Sequence, residues 1–330
     1  MVPFAIKHSG FTLIELMIAM AMSGFVLAGV YFAIASQQRS QLEQQLTTEL
    51  QQNTRAALVF LQREIRMAGF DQTWNDGNGH GVDDLRTNDG IDNDCDDQLD
   101  QDDPENDEAD DIAGIVKAAS DQIQIRLDRD GDSDFCSGDN LVAFGFPRKA
   151  DGNRDGIADV GAAQLKRGFG RSGLNQPVAE NVQAVAIAYA FDFDAGLPGG
   201  DGQLNAINGH IIWAYDSDGN GDLDMALDTN GDGVISASDD ADGDGFINDL
   251  PIEDPAPLSA IRAVRLWVLA RTRTPLRKYS DRSTYVVGDK ILIPGDTNGN
   301  GAIGGGDVPD NFKRNLLVAS VYCRNMGLRE

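Results

Sequence analysis

The fold of this chain is decided by the stretch GFTLIELMIAMAMSG, residues 10–24. It opens an apolar run over residues 11–35, in which Glu15 is the only charged residue. At 1.5 Å per residue a helix of this length spans about 37 Å, enough to cross a bilayer. A carboxylate in hydrocarbon is costly unless it is paired, so an intramembrane acid indicates a functional role. The run therefore predicts a membrane-spanning helix half with a functional carboxylate.

A second helical pattern follows the apolar run without a break. Residues 36–68 contain neither Pro nor Gly, and Thr54 fills one gap in a regular series of apolar residues. The members of that series are Leu42, Leu46, Leu50, Ala57, Leu61, Ile65 and Ala68. Spacings of three and four residues indicate an amphipathic helix, and Gly69 provides a stop. The sequence predicts one helix over residues 11–68, with its amphipathic half in the segment 36–69.

The remainder, residues 70–330, reads as a β-rich globular domain. Short runs rich in Val, Ile, Leu and aromatic residues, bounded by turn residues, predict strands over 122–127, 140–146, 182–191, 261–271 and 315–323. None is followed by a convincing crossover helix, so the sheet should be mainly antiparallel. The predicted fold class is α+β, a long N-terminal helix packed on that sheet, with long Asp/Gly-rich loops.

Composition narrows the possible partners. The chain has 330 residues, with 53 Asp and Glu against 27 Lys and Arg, a formal net charge of −26. Such a charge is repelled by phosphate backbones and attracts cations, so we expect no nucleic-acid partner. Of the three cysteines, Cys95 and Cys136 lie in Asp-rich loops and form a candidate disulfide if the domain is extracytoplasmic, whereas Cys323 in an apolar run predicts a buried free thiol.

The sequence KHSGFTLIEL, residues 7–16, resembles the processing signal of type IV pilins and type II secretion pseudopilins. The resemblance implies that prepilin peptidase cleaves between Gly10 and Phe11, removing a leader of residues 1–10, and that Phe11 is then N-methylated. It also implies that Glu15 pairs with the Phe11 amino group of a neighbouring subunit during assembly. Phe32 stands where many pilins carry proline, which argues against a proline-melted segment.

Two later segments resemble the closing strands of PilW-type minor pilins. They are IRAVRLWVLARTR, residues 261–273, and NFKRNLLVASVYCRN, residues 311–325. The closing strands thus fall within about residues 261–325, while residues from about 70 to 255 are not covered and read as an elaboration with calcium-loop insertions.

This resemblance implies a non-enzymatic structural subunit. A minor pilin would prime type IV pilus assembly and sit at or near the tip, with other minor and major pilins as partners. It would reside in the inner membrane with a single span and a periplasmic C-terminal domain, and then in the cell-surface pilus. The alternatives are a type II secretion pseudopilin of the GspJ kind and a calcium-dependent adhesin on a pilin stem. His80 and His210 are isolated in sequence, and no catalytic motif accompanies them.

The Asp/Gly-rich loops predict structural Ca²⁺, with more than one ion. The best match to an EF-hand or dockerin-like loop is DTNGDGVISASD, residues 228–239. Its candidate ligands are Asp228, Asn230, Asp232, Val234 through its carbonyl, Ser236 and Asp239. Asp239 replaces the usual Glu at position twelve and should weaken binding. The alternative is that Asp, Asn and Gly only make turns.

Further loops repeat this pattern less completely. The second match, DTNGNGAIGGGD over residues 296–307, offers Asp296, Asn298, Asn300, Ala302 and Asp307. Weaker matches keep the early spacing but lack a good acid at position twelve. Their candidate ligands are Asp216, Asp218, Asn220 and Asp222, then Asp240, Asp242 and Asp244, and finally Asp151, Asn153 and Asp155.

Overall fold

The computed structural model describes residues 12–69, 114–127, 140–170, 173–194, 200–277, 279–296, 310–323 and 326. Several predictions lie outside these residues. They concern Gly10, Phe11, Cys95, Cys136, Asn298, Asn300, Ala302 and Asp307.

The N-terminal helix α1 spans Leu13–Ile65, a length of 53 residues. Its observed ends lie within three residues of the predicted ones, and Gly69 with a left-handed φ of 69° follows the last turn. The helix continues through Gly24 and Phe32 without interruption, as the absence of proline predicts. Its apolar window has a mean hydropathy of 2.1, so by length and composition this helix could cross a membrane.

The chain divides into two compact units, Met1–Thr48 and Glu49–Glu330. In the described part of the first unit the apolar side chains of α1 are exposed; Phe25 is 81% exposed and Phe32 is 72% exposed. Such a continuous apolar surface requires a lipid or protein environment.

In the second unit, the last turns of α1 supply one wall of the hydrophobic core. Leu50, Ala57, Leu61 and Ile65 are buried on one stripe of the helix, as their spacing predicts. Across this interface the ring of Phe60 contacts the ring of Phe144 edge-on, with centroids 6.1 Å apart. Full burial of each Leu or Ile side chain stabilises the fold by about 1.5–3 kcal/mol.

A ten-stranded sheet forms the other wall of the core. Its strands are β1 (Ile115–Ala118), β2 (Ile123–Arg126), β3 (Leu141–Gly145), β4 (Ala163–Phe169), β5 (Leu174–Phe191), β8 (Ala214–Tyr215), β9 (Asp222–Ala226), β10 (Leu250–Pro257), β11 (Ile261–Arg271) and β14 (Arg314–Tyr322). Two small hairpins accompany it, β6 (Ala206–Ile207) with β7 (His210–Ile211) and β12 (Tyr285–Val287) with β13 (Lys290–Leu292). Every pairing among the described strands is antiparallel, which confirms the predicted α+β class.

The strands run in the order β1-β2-β3-β4-β5-β8-β9-β10, and β11 joins β5 to β14. All five predicted strands are confirmed, as β2, β3, the C-terminal half of β5, β11 and β14. The sequence prediction missed β10, because three of its eight residues are proline. It also missed β4 and the N-terminal half of β5, whose many polar residues give no regular alternation.

A buried ionic cluster ties the segment that connects β11 to β14 to the beginning of β14. The Arg314 guanidinium makes an ion pair with Asp281 at 3.1 Å, a second one with Asp310, and a hydrogen bond of 2.7 Å to the Gln183 amide oxygen. Arg314 and Asp281 are almost completely buried, so the cluster fixes where β14 begins. The connecting segment holds the β12–β13 hairpin and the predicted loop that starts at Asp296.

Cys323, directly after β14, is fully buried and unpaired, as predicted. Burial raises the pKa of its thiol to about 12. The thiol therefore behaves as a small apolar side chain in the core.

Candidate metal-binding loops and helix N-terminus

Four Asp/Gly loops in the described part of the globular unit share one backbone conformation. In each loop the residues at positions four and six adopt a left-handed φ, which glycine reaches without strain. The pairs are Arg154 and Gly156 (60° and 74°), Gly219 and Gly221 (81° and 98°), Gly231 and Gly233 (72° and 83°), and Gly243 and Gly245 (79° and 91°). The three loops that the sequence marked as weaker matches thus fold like the best match.

The first carboxylate of each loop organises the turn. Asp228 accepts hydrogen bonds from the amides of Gly231 at 2.8 Å, Asp232 at 3.1 Å and Gly233 at 2.7 Å. The equivalent bonds from the glycine at position six are 2.9 Å to Asp151, 3.1 Å to Asp216 and 3.0 Å to Asp240. These bonds draw the chain into a tight ring around the carboxylate.

The Asp and Asn side chains at positions three and five accept hydrogen bonds from the backbone N–H groups two residues later in the chain. In the best loop, Asn230 accepts from Asp232 at 2.9 Å and Asp232 accepts from Val234 at 2.8 Å. In the other loops the matching acceptors are Asp218, Asn220, Asp242, Asp244 and Asp155. Asn153 instead donates to Asp155 at 2.8 Å, and Asp222 begins β9.

A closing acid completes each loop. Asp239, at position twelve of the best loop, is fully buried and accepts from the amides of Thr229 at 3.0 Å, Asn230 at 3.2 Å and Ser236 at 2.8 Å. It also lies within hydrogen-bonding distance of the Ser236 hydroxyl, at 3.3 Å. Asp239 thus joins the two ends of its loop.

The closing acids of the other three loops were not predicted, because the EF-hand pattern places this acid at position twelve. They stand at positions nine, nine and ten, and each accepts from the amide at position two. The bonds are Gly152 to Asp159 at 2.9 Å, Ser217 to Asp224 at 2.8 Å and Ala241 to Asp249 at 2.9 Å. An acid eight or nine residues after the first Asp is the sequence signal that would have found them.

Among the residues that the structure describes, two groups of three carboxylates are close enough to hold a metal ion. Oxygens of Asp240, Asp242 and Asp249 lie within 4.8 Å of one another, and so do oxygens of Asp192, Asp194 and Asp201. The first group joins two predicted ligands to the closing acid of the same loop. The second was not predicted, because residues 192–201 lack the acid or amide at position five and the glycine at position six that mark the other loops. Carboxylate oxygens are the ligands that Ca²⁺ and Mg²⁺ prefer.

Packing of the Asp151 loop disfavours the ionised form of the Asp151 carboxyl. Asp151 is 2% exposed, and burial raises the pKa of its carboxyl although the Gly156 amide opposes this rise. The charge of Asp155 raises it further. A bound cation would favour the ionised form of such a carboxyl.

At the start of α1, Glu15 closes a capping box that the sequence analysis did not identify. The carboxylate accepts hydrogen bonds from the amide and the hydroxyl of Thr12, both at 2.9 Å, and the Glu15 amide donates to the Thr12 hydroxyl at 3.3 Å. The spacing of a threonine followed three residues later by a glutamate was the available signal. Within one chain the Glu15 side chain therefore caps the N-terminus of α1.

Residues 6–31, which hold Gly10, Phe11 and Glu15, match the description "prokaryotic N-terminal methylation motif". The chain carries a prokaryotic methylation motif. This motif and the long apolar helix after it are consistent with a pilin or pseudopilin subunit that is anchored in a membrane before assembly. No curated protein matches the sequence. Among solved structures, a type IV-like pilin from Thermus thermophilus is similar at 15% identity and a TM-score of 0.34, over 84% of this chain and 98% of that one.

Proposed function

We propose that this protein is a minor pilin of a type IV pilus, a structural subunit that primes filament assembly and enters the filament at or near its tip. The methylation motif carries the proposal, because cleavage between Gly10 and Phe11 would leave Phe11 as a charged, methylated N-terminus. The exposed apolar half of α1 would then pack among the helices of other minor and major pilins. The resemblance of residues 261–273 and 311–325 to the closing strands of PilW-type minor pilins favours the pilus over the secretion pseudopilus; these residues contain β11 and β14.

In this proposal Glu15 has two functions. Its hydrogen bonds with Thr12 cap the N-terminus of the helix, and its charge pairs with the Phe11 amino group of a neighbouring subunit. An ion pair in a low-dielectric environment is much stronger than one in water, and loss of one partner leaves a buried charge. The two functions can be separated, because glutamine also closes a capping box but carries no charge.

The experiment counts surface filaments in cells that lack the protein and in cells that carry Glu15→Gln or Glu15→Ala. We expect few or no pili in the deletion strain and an equally strong defect in both variants, because both lose the charge. Glu43→Gln is the matched control; it removes a carboxylate from the exposed surface of the same helix outside the apolar run. A normal count with Glu15→Gln would assign Glu15 to helix capping alone.

Secretion of exoproteins separates the pilus from its alternative. Normal pili with exoproteins trapped in the periplasm of the deletion strain would identify a type II secretion pseudopilin. Normal pili together with normal secretion would contradict both assembly functions.

We also propose that the shared Asp/Gly loops bind structural Ca²⁺ in the globular unit. The supporting observations are the left-handed turns at positions four and six, the closing acids, and the grouped carboxylates of Asp240, Asp242 and Asp249. Extracellular Ca²⁺ modules bind with dissociation constants of about 10⁻⁴–10⁻³ M. At a Ca²⁺ concentration one hundred times the dissociation constant, each site would stabilise the fold by about 2.7 kcal/mol.

Thermal denaturation of the full chain in detergent, with Ca²⁺, with Mg²⁺ and with chelator, tests the calcium proposal. We expect the melting temperature to rise with Ca²⁺ and much less with Mg²⁺, which retains its waters. Equal melting temperatures in Ca²⁺ and chelator would refute it. If Ca²⁺ also switched on binding of the chain to a surface, the domain would instead be a calcium-dependent adhesin.

A further inference from the structure

The ten-stranded sheet has three edges among the described residues, β1, β10 and β14, and they differ in how well they are protected. Strand β1 has only four residues and a register shift between Ile115 and Lys117. Strand β10 has three prolines, two acids and a register shift between Pro251 and Ala256. Short strands, prolines, charges and bulges are the features by which proteins prevent an edge from pairing with another chain.

Strand β14 has none of these features after its first residue, Arg314. It makes nine consecutive pairs with β11, from Arg314 opposite Arg271 to Tyr322 opposite Ala263, with no register shift. Residues 315–322 contain no charge, proline or glycine. Val318 is 48% exposed and Tyr322 is 59% exposed. A long, regular, uncharged edge is a ready template for another strand.

The hydrogen bonds that flank β14 show which residues face this edge. The Cys323 amide donates to the carbonyl of Arg262 at 2.9 Å, and the Thr272 amide donates to the carbonyl of Lys313 at 2.9 Å. Both pairs continue the β11–β14 register, so odd-numbered residues of β14 bond to β11. The even-numbered residues therefore direct their N–H and C=O groups outward. Within the uncharged stretch 315–322 they are Leu316, Val318, Ser320 and Tyr322.

The charge around β14 is opposite to that of the whole chain. Residues 261–282 contain seven Lys and Arg against one Asp, and residues 311–330 contain four against one Glu, although the chain has a net charge of −26. Exposed Arg273 and Arg277 lie in a segment held beside the start of β14, where the Leu276 amide donates to Asn311 at 2.8 Å. Arg314 itself is paired with Asp281 and Asp310. The edge is thus uncharged at its centre and basic at its beginning, where Arg273 and Arg277 are exposed.

We propose that β14 is a docking edge for an extended strand of a different protein chain, with an uncharged centre and an acidic end. Main-chain hydrogen bonds to the even-numbered residues would supply the affinity, and the basic beginning of the edge would select the partner. A second copy of this chain fits less well, because residues 315–322 contain no acid that could meet this basic beginning, and both copies are strongly acidic overall.

The test uses the full chain in detergent micelles and a fluorescent peptide of alternating Thr and Val with Asp residues at both ends. Fluorescence anisotropy measures binding, and residue-resolved amide exchange measures which β14 amides become protected. We expect rapid exchange at Val318 and Ser320 in the free chain and slow exchange at Leu317 and Ala319. The peptide should slow exchange at the first pair only.

Two variants make the test specific. Val318→Pro removes an outward N–H without removing a β11 bond, and Val318→Ala is its matched control. Val318→Glu keeps the N–H but repels the acidic peptide, so it tests the same edge if the proline variant fails to fold. We expect both Val318→Pro and Val318→Glu to weaken binding at least tenfold, with little change for Val318→Ala.

Several outcomes would overturn the proposal. One is equal binding of a matching peptide with Lys residues at its ends; another is undiminished binding by Val318→Pro. Slow exchange at Val318 and Ser320 in the free chain would show that the edge is already paired. Concentration-dependent dimerisation that Val318→Pro abolishes would assign the edge to a second copy of this chain.

Discussion

Replacement of Asp239 by alanine tests whether a closing acid holds its loop together. In the folded protein this buried carboxylate accepts from three backbone amides, those of Thr229, Asn230 and Ser236, at 3.0, 3.2 and 2.8 Å. Hydrogen bonds to charged groups contribute about 1.5–3 kcal/mol each. Because the three donors lie in a half-exposed loop, water can replace part of the loss, and we expect the free energy of unfolding to fall by about 3 kcal/mol.

Urea denaturation of the full chain in detergent, in chelator and in excess Ca²⁺, measures this loss. If Asp239 is also a Ca²⁺ ligand, the loss in Ca²⁺ should exceed the loss in chelator by up to about 2.7 kcal/mol, the contribution of a site at one hundred times its dissociation constant. Asp254→Ala is the matched control, because Asp254 is an exposed acid on β10. A loss below about 1 kcal/mol in both conditions would refute a structural function of the closing acid.

Three further predictions follow from the geometry of the globular unit. Gly233→Ala should destabilise the fold by about 1–2 kcal/mol in urea denaturation, because Gly233 has a φ of 83° and an added Cβ would lie 2.2 Å from the His210 imidazole. An unchanged stability would contradict the left-handed conformation of Gly233. Arg314→Ala should cost about 3–5 kcal/mol, because it leaves the buried Asp281 and the half-buried Asp310 without their cationic partner. Burial would raise the pKa of Asp310, but the hydrogen bond and charge of Arg314 lower this pKa below its usual value. The wild-type protein should therefore keep this stabilisation above about pH 4 and lose it as the pH falls through the lowered pKa. Acid titration of the Arg314→Ala variant should lack this pH dependence. Cys323, with a pKa raised to about 12, should react with thiol reagents only after unfolding, and rapid labelling of the native chain would show that its burial is wrong.

The helix and the central strands were predictable because their signal is periodic. The three-and-four spacing of Leu50, Ala57, Leu61 and Ile65 corresponds directly to the buried stripe of α1. Strand β11 was predictable because an apolar run of strand length marks a strand that is buried on both faces. Strand β10 was not, because proline is tolerated only where no ladder bond is required, and the sequence does not show which strand is an edge.

For the candidate metal-binding loops, the sequence predicted only the residues at the beginning of each loop. Positions one to six of each loop form local turns, so the D-x-D-x-D-G spacing alone predicts their hydrogen bonds. The closing acids Asp159, Asp224 and Asp249 depend on how many residues the chain uses to return to the loop, and this length differs from the EF-hand standard. The group around Asp192 includes Asp201, whose amide donates to the Asp192 carboxylate, but the residues between them lack the acid or amide at position five and the glycine at position six that mark the other loops.

The hydrogen bonds of the loops also determine what Ca²⁺ can change. An ionised carboxylate has about four acceptor sites, and Asp228 already uses three for backbone amides. One site is left for a cation, so the amides set the shape of the turn and the ion adds to it. We therefore expect chelation to lower the melting temperature while the far-ultraviolet circular dichroism at 25 °C stays unchanged. A loss of β signal on chelation would show instead that the ion, and not the amide network, folds these loops, as it does in zinc fingers.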